Sequence, residues 1–400
     1  MSGVLDAALL ATIVTLFTES GKLHNVTARD QRITAEGDGY VSVISRVVVE
    51  GRDATGAERT YDTVVKAPLP NIDVRKNVPL TLMFERETLF FDRIIPKFNE
   101  VQERLAEEEK LYFPLKYFSS GEYLKEYIVM ENLKSSGYKN ANSDKQLDFA
   151  HGSVVVSTLA KFHALSFIYK TRFPSDYSEV TKQLTDNFML SRRDYDASGV
   201  RKYGKRVFDK FINSLRNAEY KDKIVKAADN DYNTVLQDFW GNGTINVISH
   251  GDYWINNILF KYNKDVPTGA VIIDYQMARH SSLVNDLLSF LGTCFELELR
   301  RNHFWELIDV YYKSLDRFLN IAGYDINDFC TRDEFDKELR AQSFFGVAVG
   351  IFMISFFDTE VPEIQLLFGG DLPDSFDRPS PKFEMLANDL IEDYVSWGLL

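Results

Sequence analysis

The residues best suited to chemistry lie in two short runs, Ser249-His250-Gly251-Asp252-Tyr253-Trp254-Ile255-Asn256-Asn257 and Val271-Ile272-Ile273-Asp274-Tyr275-Gln276. They supply an Asp, an Asn five positions later, and a second Asp at the end of the next apolar run but one. Phosphoryl transfer asks for these types: one carboxylate beside the attacking hydroxyl, and hard oxygen ligands that hold Mg²⁺ against nucleotide phosphates. Asp252 suits the first task, orienting the hydroxyl and accepting its proton. Asn257, through its amide oxygen, and Asp274, through its carboxylate, suit the second. The same three residues could be plain loop caps and turn formers. The His-Gly lead-in, the spacing and the flanking apolar runs together favour the functional reading.

For the three side chains to converge, the chain must reverse between Asp252 and Asn257 and return through a hairpin from Ile258 to Ile273. Tyr262-Asn263-Lys264-Asp265 and Pro267-Thr268-Gly269 are the expected turn formers. A second constellation lies far upstream. Lys66 closes a strand-like run, and Glu87 falls on the helical stripe of Phe84, Phe91 and Ile94. A carboxylate in an apolar stripe needs a partner, since leaving it unpaired costs on the order of several kcal/mol. Lys66 is the expected mate, whether for nucleotide binding or as a structural ion pair, whereas Glu85 shares its face with Asp92 and reads as solvated.

At this point the chain resembles a known family. His-Gly-Asp-x-Trp-x-x-Asn from His250 to Asn257, followed by Asp274-Tyr275-Gln276, is similar to the ecdysteroid kinase-like and choline kinase-like proteins of arthropods, relatives of the choline and aminoglycoside kinases. The resemblance implies an α+β, bilobal protein-kinase-like fold with an N-terminal antiparallel sheet lobe and a larger, mainly helical C-terminal lobe. It implies ATP and Mg²⁺ as cofactors, with Asp252 as the catalytic base and Asn257 and Asp274 on the metal. Lys66 would contact the α- and β-phosphates and Glu87 would fix it. Main-chain groups of Glu131 and Leu133, in Ile128 to Leu133, would hold the adenine edge, and Gly37-Asp38-Gly39-Tyr40 would be the turn over the phosphates. His250 and Asp286 would brace the catalytic loop. No Ala-Pro-Glu follows Asp274 and the next helical pattern begins near Asn285, which argues against a protein kinase.

Composition narrows the classes. The chain has 400 residues, 45% hydrophobic and 26% charged, enough for two lobes around a cleft and typical of a soluble globular protein. A formal charge of −13 gives no support for a nucleic-acid partner. Two cysteines, Cys294 and Cys330, make neither a disulfide framework nor a metal cluster, so a cytoplasmic setting is expected. The run Val4 to Phe17 reads as an amphipathic helix rather than a signal peptide. Phe344 to Phe357 is apolar but shorter than the ~20 residues of a membrane span, so no membrane association is expected. No histidine pair has zinc-site spacing, and His163 reads as a core residue.

Strand patterns run from Gln31 to Ala67, with a turn at Gly51 to Gly56, and recur at Tyr112 to Phe118 and Glu122 to Met130. A helix is expected from Leu80 to Ile95. After a polar link, Lys134 to Lys145, helical patterns occupy Gln146 to Lys170, Lys205 to Asp229, Asp286 to Gly323 and Glu334 to Phe357. The expected division is 1–131 for the nucleotide lobe and 132–400 for the catalytic and acceptor lobe. Together these readings give a small-molecule kinase acting on an alcohol, and the resemblance points to an ecdysteroid or another lipophilic or xenobiotic hydroxyl compound. The alternatives are a choline- or ethanolamine-type kinase and a catalytically silent nucleotide- or hormone-binding relative. Tyr177 to Tyr203 and Phe344 to Gly370, both rich in aromatic residues, are the expected acceptor segments. No feature of the sequence specifies an oligomer.

Overall fold

Residues 5–32, 42–68, 75, 79–141, 147–184, 198–228, 243–294, 297–358 and 373–400 are described by the computed structural model. A helix, α1 (Ala7–Glu19), precedes three strands, β1 (His24–Arg32), β2 (Ser42–Arg52) and β3 (Glu58–Pro68). Helix Leu80–Leu89 (α2) continues through a π-helical turn, Phe90–Ile94, into Ile95–Val101 (α3). Strands β4 (Lys116–Ser120) and β5 (Tyr127–Glu131) complete an antiparallel sheet ordered β1-β2-β3-β5-β4. The period of two buries Val47, Val49 and Val65 on one face, where Ile13 and Phe17 of α1 cover them. Each such side chain contributes roughly 1.5–3 kcal/mol.

The sequence pattern missed most of β1. Its half-buried positions are Val26, Ala28 and Asp30 in an otherwise polar run, so an edge strand carries little periodic signal. The helix at 80 runs past the expected end at Ile95. Pro96, which has no N–H to donate, sits in the first turn after the π segment, where its missing donor is tolerated.

Beyond the sheet the chain is mainly helical: α4 (Phe149–Arg172), α5 (Pro174–Leu184), α6 (Ser198–Ser214), α7 (Ala218–Ala227), α8 (Asn285–Thr293), α9 (Leu297–Ile321), α10 (Arg332–Ala341), α11 (Ser343–Phe357) and α12 (Pro381–Ser396). Two antiparallel strand pairs interrupt them, β6 (Asn246–Ser249) with β9 (Arg279–Ser282), and the hairpin β7 (Ile258–Asn263) with β8 (Val266–Ile272). The hairpin turns at Lys264, whose φ is +57°. Pro267-Thr268-Gly269, expected as turn, lies inside β8 because Tyr262 and Asn263 take Pro267 and Val266 as partners. Each of the last three long helical patterns is two helices, with Asn217 capping α7 and a 47° bend between α10 and α11. Helix α4 is long and apolar enough to cross a membrane, but 78% of that stretch is buried inside the protein.

Among the described residues two large apolar cores and one small cluster fill the fold. The sheet and α1 share the smaller of the two cores. Helix α2, the π-helical turn and α3 place Phe84, Phe90, Phe91, Ile94 and Phe98 in the larger, helical core, beside Phe162 of α4 and Ile128 of β5. The connection after β5 is anchored at both ends. Asp62 of β3 accepts from Asn132 Nδ2 at 3.0 Å and Ser135 Oγ at 2.5 Å, while Arg46 grips the same carboxylate through Nε at 2.8 Å and Nη2 at 2.7 Å. The Arg46 guanidinium outweighs burial and pulls Asp62 down to about 2. Further on, Lys139 and Phe260 of β7 exchange backbone hydrogen bonds of 2.8 and 2.7 Å. Between the anchors stands Gly137, at φ +86°, a conformation glycine adopts without penalty.

Candidate active site

Pairing of β6 with β9 closes the two motif runs on one another. Strand β6 delivers His250 and Gly251, the hairpin lies between, and Asp274 begins the turn into β9. Gly251 has φ +77°, and a Cβ there would come within 2.1 Å of Met277 O and 2.6 Å of Arg279 Nε. Only glycine fits the meeting point of the two loops.

The loop is held from beneath. Asp286, in the first turn of α8, accepts the N–H of His250 at 2.6 Å and of Gly251 at 2.9 Å. Burial raises this carboxyl, but His163 and the backbone donors outweigh it and leave it below the usual range. His163 is fully buried and satisfied by Tyr311 Oη at 2.7 Å, the core residue expected. His250 donates from Nε2 to Ile273 O at 2.9 Å and accepts at Nδ1 from the Asp252 N–H at 3.3 Å. Both ring nitrogens are thereby engaged, so His250 braces the loop.

The structure brings five of the expected site residues together. Asn257 gives its Nδ2 hydrogens to the carbonyl and to Oδ2 of Asp252, both at 2.9 Å, which leaves its amide oxygen as the ligand end. Its backbone carbonyl accepts from Ile273 N at 3.0 Å, fixing Asn257 next to Asp274. Asp274 has φ +68° and ψ +72°, left-handed backbone that costs a non-glycine residue on the order of 1–2 kcal/mol. The Asp252 carboxyl is raised, first by burial and then by Asp274, against His250, Asn257 and Arg279.

Lys66 reaches the same point from β3. Its Nζ donates to Glu87 Oε2 at 2.6 Å, Asp274 Oδ1 at 2.7 Å and Gln276 Oε1 at 3.0 Å. Burial alone would lower the ammonium, but Asp274 and Glu87 lift it to about 12. Burial pushes Glu87 up to about 7 against the pull of Lys66, and Asp274 adds to that push. The direction that stands for the pair at neutral pH is a charged Lys66, because two carboxylates face it. Glu87 Oε1 also accepts from Tyr275 N at 3.3 Å, and the Tyr275 ring stacks on Phe90 at 4.1 Å. Glu85 and Asp92 are exposed, as the helical stripe requires.

Asp252 and Asp274 repel one another, so a divalent cation between Asn257 and Asp274 would relieve a charge conflict already present. Among the described residues no group of three or more His, Cys, Asp or Glu could hold a metal by itself. Two protein ligands completed by phosphate and water oxygens are what Mg²⁺ commonly takes.

Glu131 and Leu133 flank the end of β5. The Glu131 N–H is spent on Leu115 O at 2.9 Å, whereas no acceptor among the described residues meets the Leu133 N–H. Leu133 packs with Leu259, Val271 and Ile273 in a small apolar floor. The turn expected at Gly37-Asp38-Gly39-Tyr40 lies outside the described residues, as do Phe188, Tyr195 and Phe368 of the acceptor segments. Tyr177, Tyr203, Phe345 and Phe356 of those segments are core. Gln276 was read from sequence only as part of the family motif, without its contact to Lys66, and Asp62 behind the connection was not singled out. A signal existed for Asp62, which shares the period-two face of Lys66.

The sequence pattern of the ecdysteroid kinase-like family matches residues 36–324, well over half of the chain. The protein belongs to the ecdysteroid kinase-like family. It is a small-molecule kinase, a phosphotransferase with an alcohol acceptor, on an α+β bilobal fold of the protein-kinase-like type. No curated protein matches the chain in sequence. Among solved structures it is similar to an ethanolamine kinase of Plasmodium vivax, at 11% identity over 93% of this chain and 84% of that one with a TM-score of 0.40. It is also similar to the GDP complex of aminoglycoside 2'-phosphotransferase-IIIa, at 12% identity over 98% and 99% with a TM-score of 0.45.

Proposed function

We propose that this family member transfers the γ-phosphoryl group of MgATP to the hydroxyl of an ecdysteroid or another lipophilic or xenobiotic alcohol. The observation that carries the nucleotide half is the Lys66 ammonium held by Glu87 from one element and Asp274 from another, with Asp252 and Asn257 alongside. Lys66 suits the non-transferred phosphates and Glu87 fixes it. Asn257 and Asp274 would hold Mg²⁺, which supplies charge neutralisation across the phosphates. Asp252 orients the acceptor hydroxyl and takes its proton as the new O–P bond forms and the bond to the leaving nucleotide breaks. A carboxyl raised by burial is the better proton acceptor. The unmet Leu133 N–H supports recognition of the adenine edge by the main chain, with Glu131 acting through its carbonyl. Two free thiols, Cys294 and Cys330, support a reducing, cytoplasmic setting.

The test is ATP consumption with Mg²⁺ against 20-hydroxyecdysone, ecdysone, choline, ethanolamine and phenolic glycosides, with Asp252→Asn as blank. Phosphorylation of a steroid above that blank supports the reading. Turnover of choline or ethanolamine alone would move the protein to the amino-alcohol branch, and failure to bind MgATP would overturn the mechanism.

A further inference from the structure

Where related kinases of the protein-phosphorylating type carry Asp-Phe-Gly, this chain has Asp274-Tyr275-Gln276, and the last residue has a definite contact. An ammonium only donates, so the 3.0 Å contact with Lys66 Nζ requires the amide oxygen of Gln276. Lys66 has three N–H donors and spends one each on Glu87, Asp274 and Gln276. No donor is left for a phosphate until one acceptor withdraws. Asp274 is the acceptor with another task, since Asn257 is fixed beside it through the backbone contact with Ile273. Once Asp274 turns away, Lys66 keeps Glu87 and Gln276 and has one N–H to offer.

We propose that Gln276 is a positioning residue for nucleotide binding, the neutral acceptor that keeps Lys66 aimed at the phosphates when Asp274 engages the metal ion; the inference rests on the function proposed above. Its neutrality matters. Glu87 and Asp274 already answer the single positive charge twice, and a third carboxylate would turn a phosphate-attracting centre into a repelling one. A shorter or apolar residue would leave Lys66 with one fixed contact, free to swing with Glu87. Tyr275 anchors the segment by stacking on Phe90 and donating its hydroxyl to Ile272 O at 2.8 Å, so Gln276 sits on a rigid support.

The experiment measures MgATP affinity by calorimetry for the wild type, Gln276→Met, Gln276→Glu, Lys66→Met and the Lys66→Met/Gln276→Met double variant. Gln276→Met should weaken MgATP about tenfold, roughly 1.4 kcal/mol, the scale of one hydrogen bond to a charged group. Gln276→Glu, which keeps an oxygen acceptor and the side-chain volume, should weaken it at least as much. In the Lys66→Met background the Gln276→Met change should fall below about twofold, because the effect runs through the lysine. Wild-type affinity in Gln276→Met overturns the inference. So does a loss that persists undiminished without Lys66, which would mean that Gln276 meets the nucleotide or metal directly. A Gln276→Glu protein that needs less Mg²⁺ than wild type would assign the amide to the metal and overturn it as well. Wild-type protein that fails to bind MgATP would instead defeat the nucleotide reading itself, and this inference with it.

Discussion

Replacing Asp286 by Asn removes a charge and one acceptor oxygen from beneath the catalytic loop. The carboxylate is 2% exposed and accepts two backbone N–H groups, from His250 at 2.6 Å and Gly251 at 2.9 Å, with His163 Nε2 at 3.4 Å as a third neighbour. An amide can keep one of the two bonds. Its NH₂ then faces the other N–H, so a hydrogen bond to a charged acceptor, about 1.5–3 kcal/mol, is lost and a buried donor is orphaned at a further ~1–3 kcal/mol. The expected total of about 3–5 kcal/mol corresponds to a melting shift of about 4–6 °C for a chain of this length. Activity should fall further than stability. Asp252 follows the two released N–H groups directly, and a misplacement of about 1 Å costs on the order of 10²-fold in rate. Lys66, Glu87 and Leu133 are anchored elsewhere, so MgATP affinity should stay within about twofold of wild type. Differential scanning calorimetry, MgATP titration and turnover on whichever acceptor is phosphorylated read the three quantities. A variant that melts and turns over like the wild type would refute the argument that this carboxylate places the loop.

Asp252→Asn should lower turnover by roughly 10²–10⁴ with MgATP affinity retained, the range for a lost proton acceptor, as measured by steady-state rates beside calorimetry. Asp274→Ala should abolish the Mg²⁺ dependence of nucleotide binding, seen by titrating ATP with Mg²⁺ and with a chelator. His280 predicts an acid sensitivity. Its Nε2 is buried without an acceptor among the described residues, and burial followed by the Lys170 charge holds the imidazole down at about 4 against an ordinary 6.5. The unfolded chain therefore binds the proton first, so the stability that goes with a neutral imidazole is complete above about pH 6.5 and lost as pH falls towards 4. The full loss should be about 3 kcal/mol, and His280→Gln should flatten the difference between melting temperatures at pH 7 and pH 5 relative to wild type.

Legibility in the sequence followed the distance over which partners are found. Asp252, Asn257 and Asp274 stood out because their spacing is local and hairpin residues flank them. Glu87 stood out through its helical stripe, which implied a buried carboxylate and hence a cation. Gln276 gave no such signal, since its partner is on another element and an amide in a turn raises no electrostatic question. Asp62 could have been suspected from its face, but its donors Asn132 and Ser135 come from a segment with no periodicity. Strand β1 was hidden by polar composition at an edge. The breaks at Asn217 and between α10 and α11 were hidden because apolar periodicity continues across short interruptions.

The division of the apolar cores has a mechanical consequence. Glu87 rides on a helix whose phenylalanines belong to the helical core, and Tyr275, between Asp274 and Gln276, belongs to that core too. Lys66 alone of the four rides on the sheet, which forms the smaller core with α1, while Ile128, paired with Lys66, reaches into the helical one. Ser135 is tied to the sheet through Asp62 and Lys139 to β7, so the short arc at Gly137 spans from one element to the other. The sheet is also tied to the Glu87 helix, by Thr81 Oγ1 donating to Glu126 Oε1 at 2.6 Å and by the Lys116–Asp92 ion pair, so a shift of the sheet would carry Glu87 along with Lys66 and strain first the contacts with Asp274 and Gln276. The Lys66 side chain joins the sheet to Glu87 and to the Asp274–Gln276 turn, so a change at any of the three is felt at the other two.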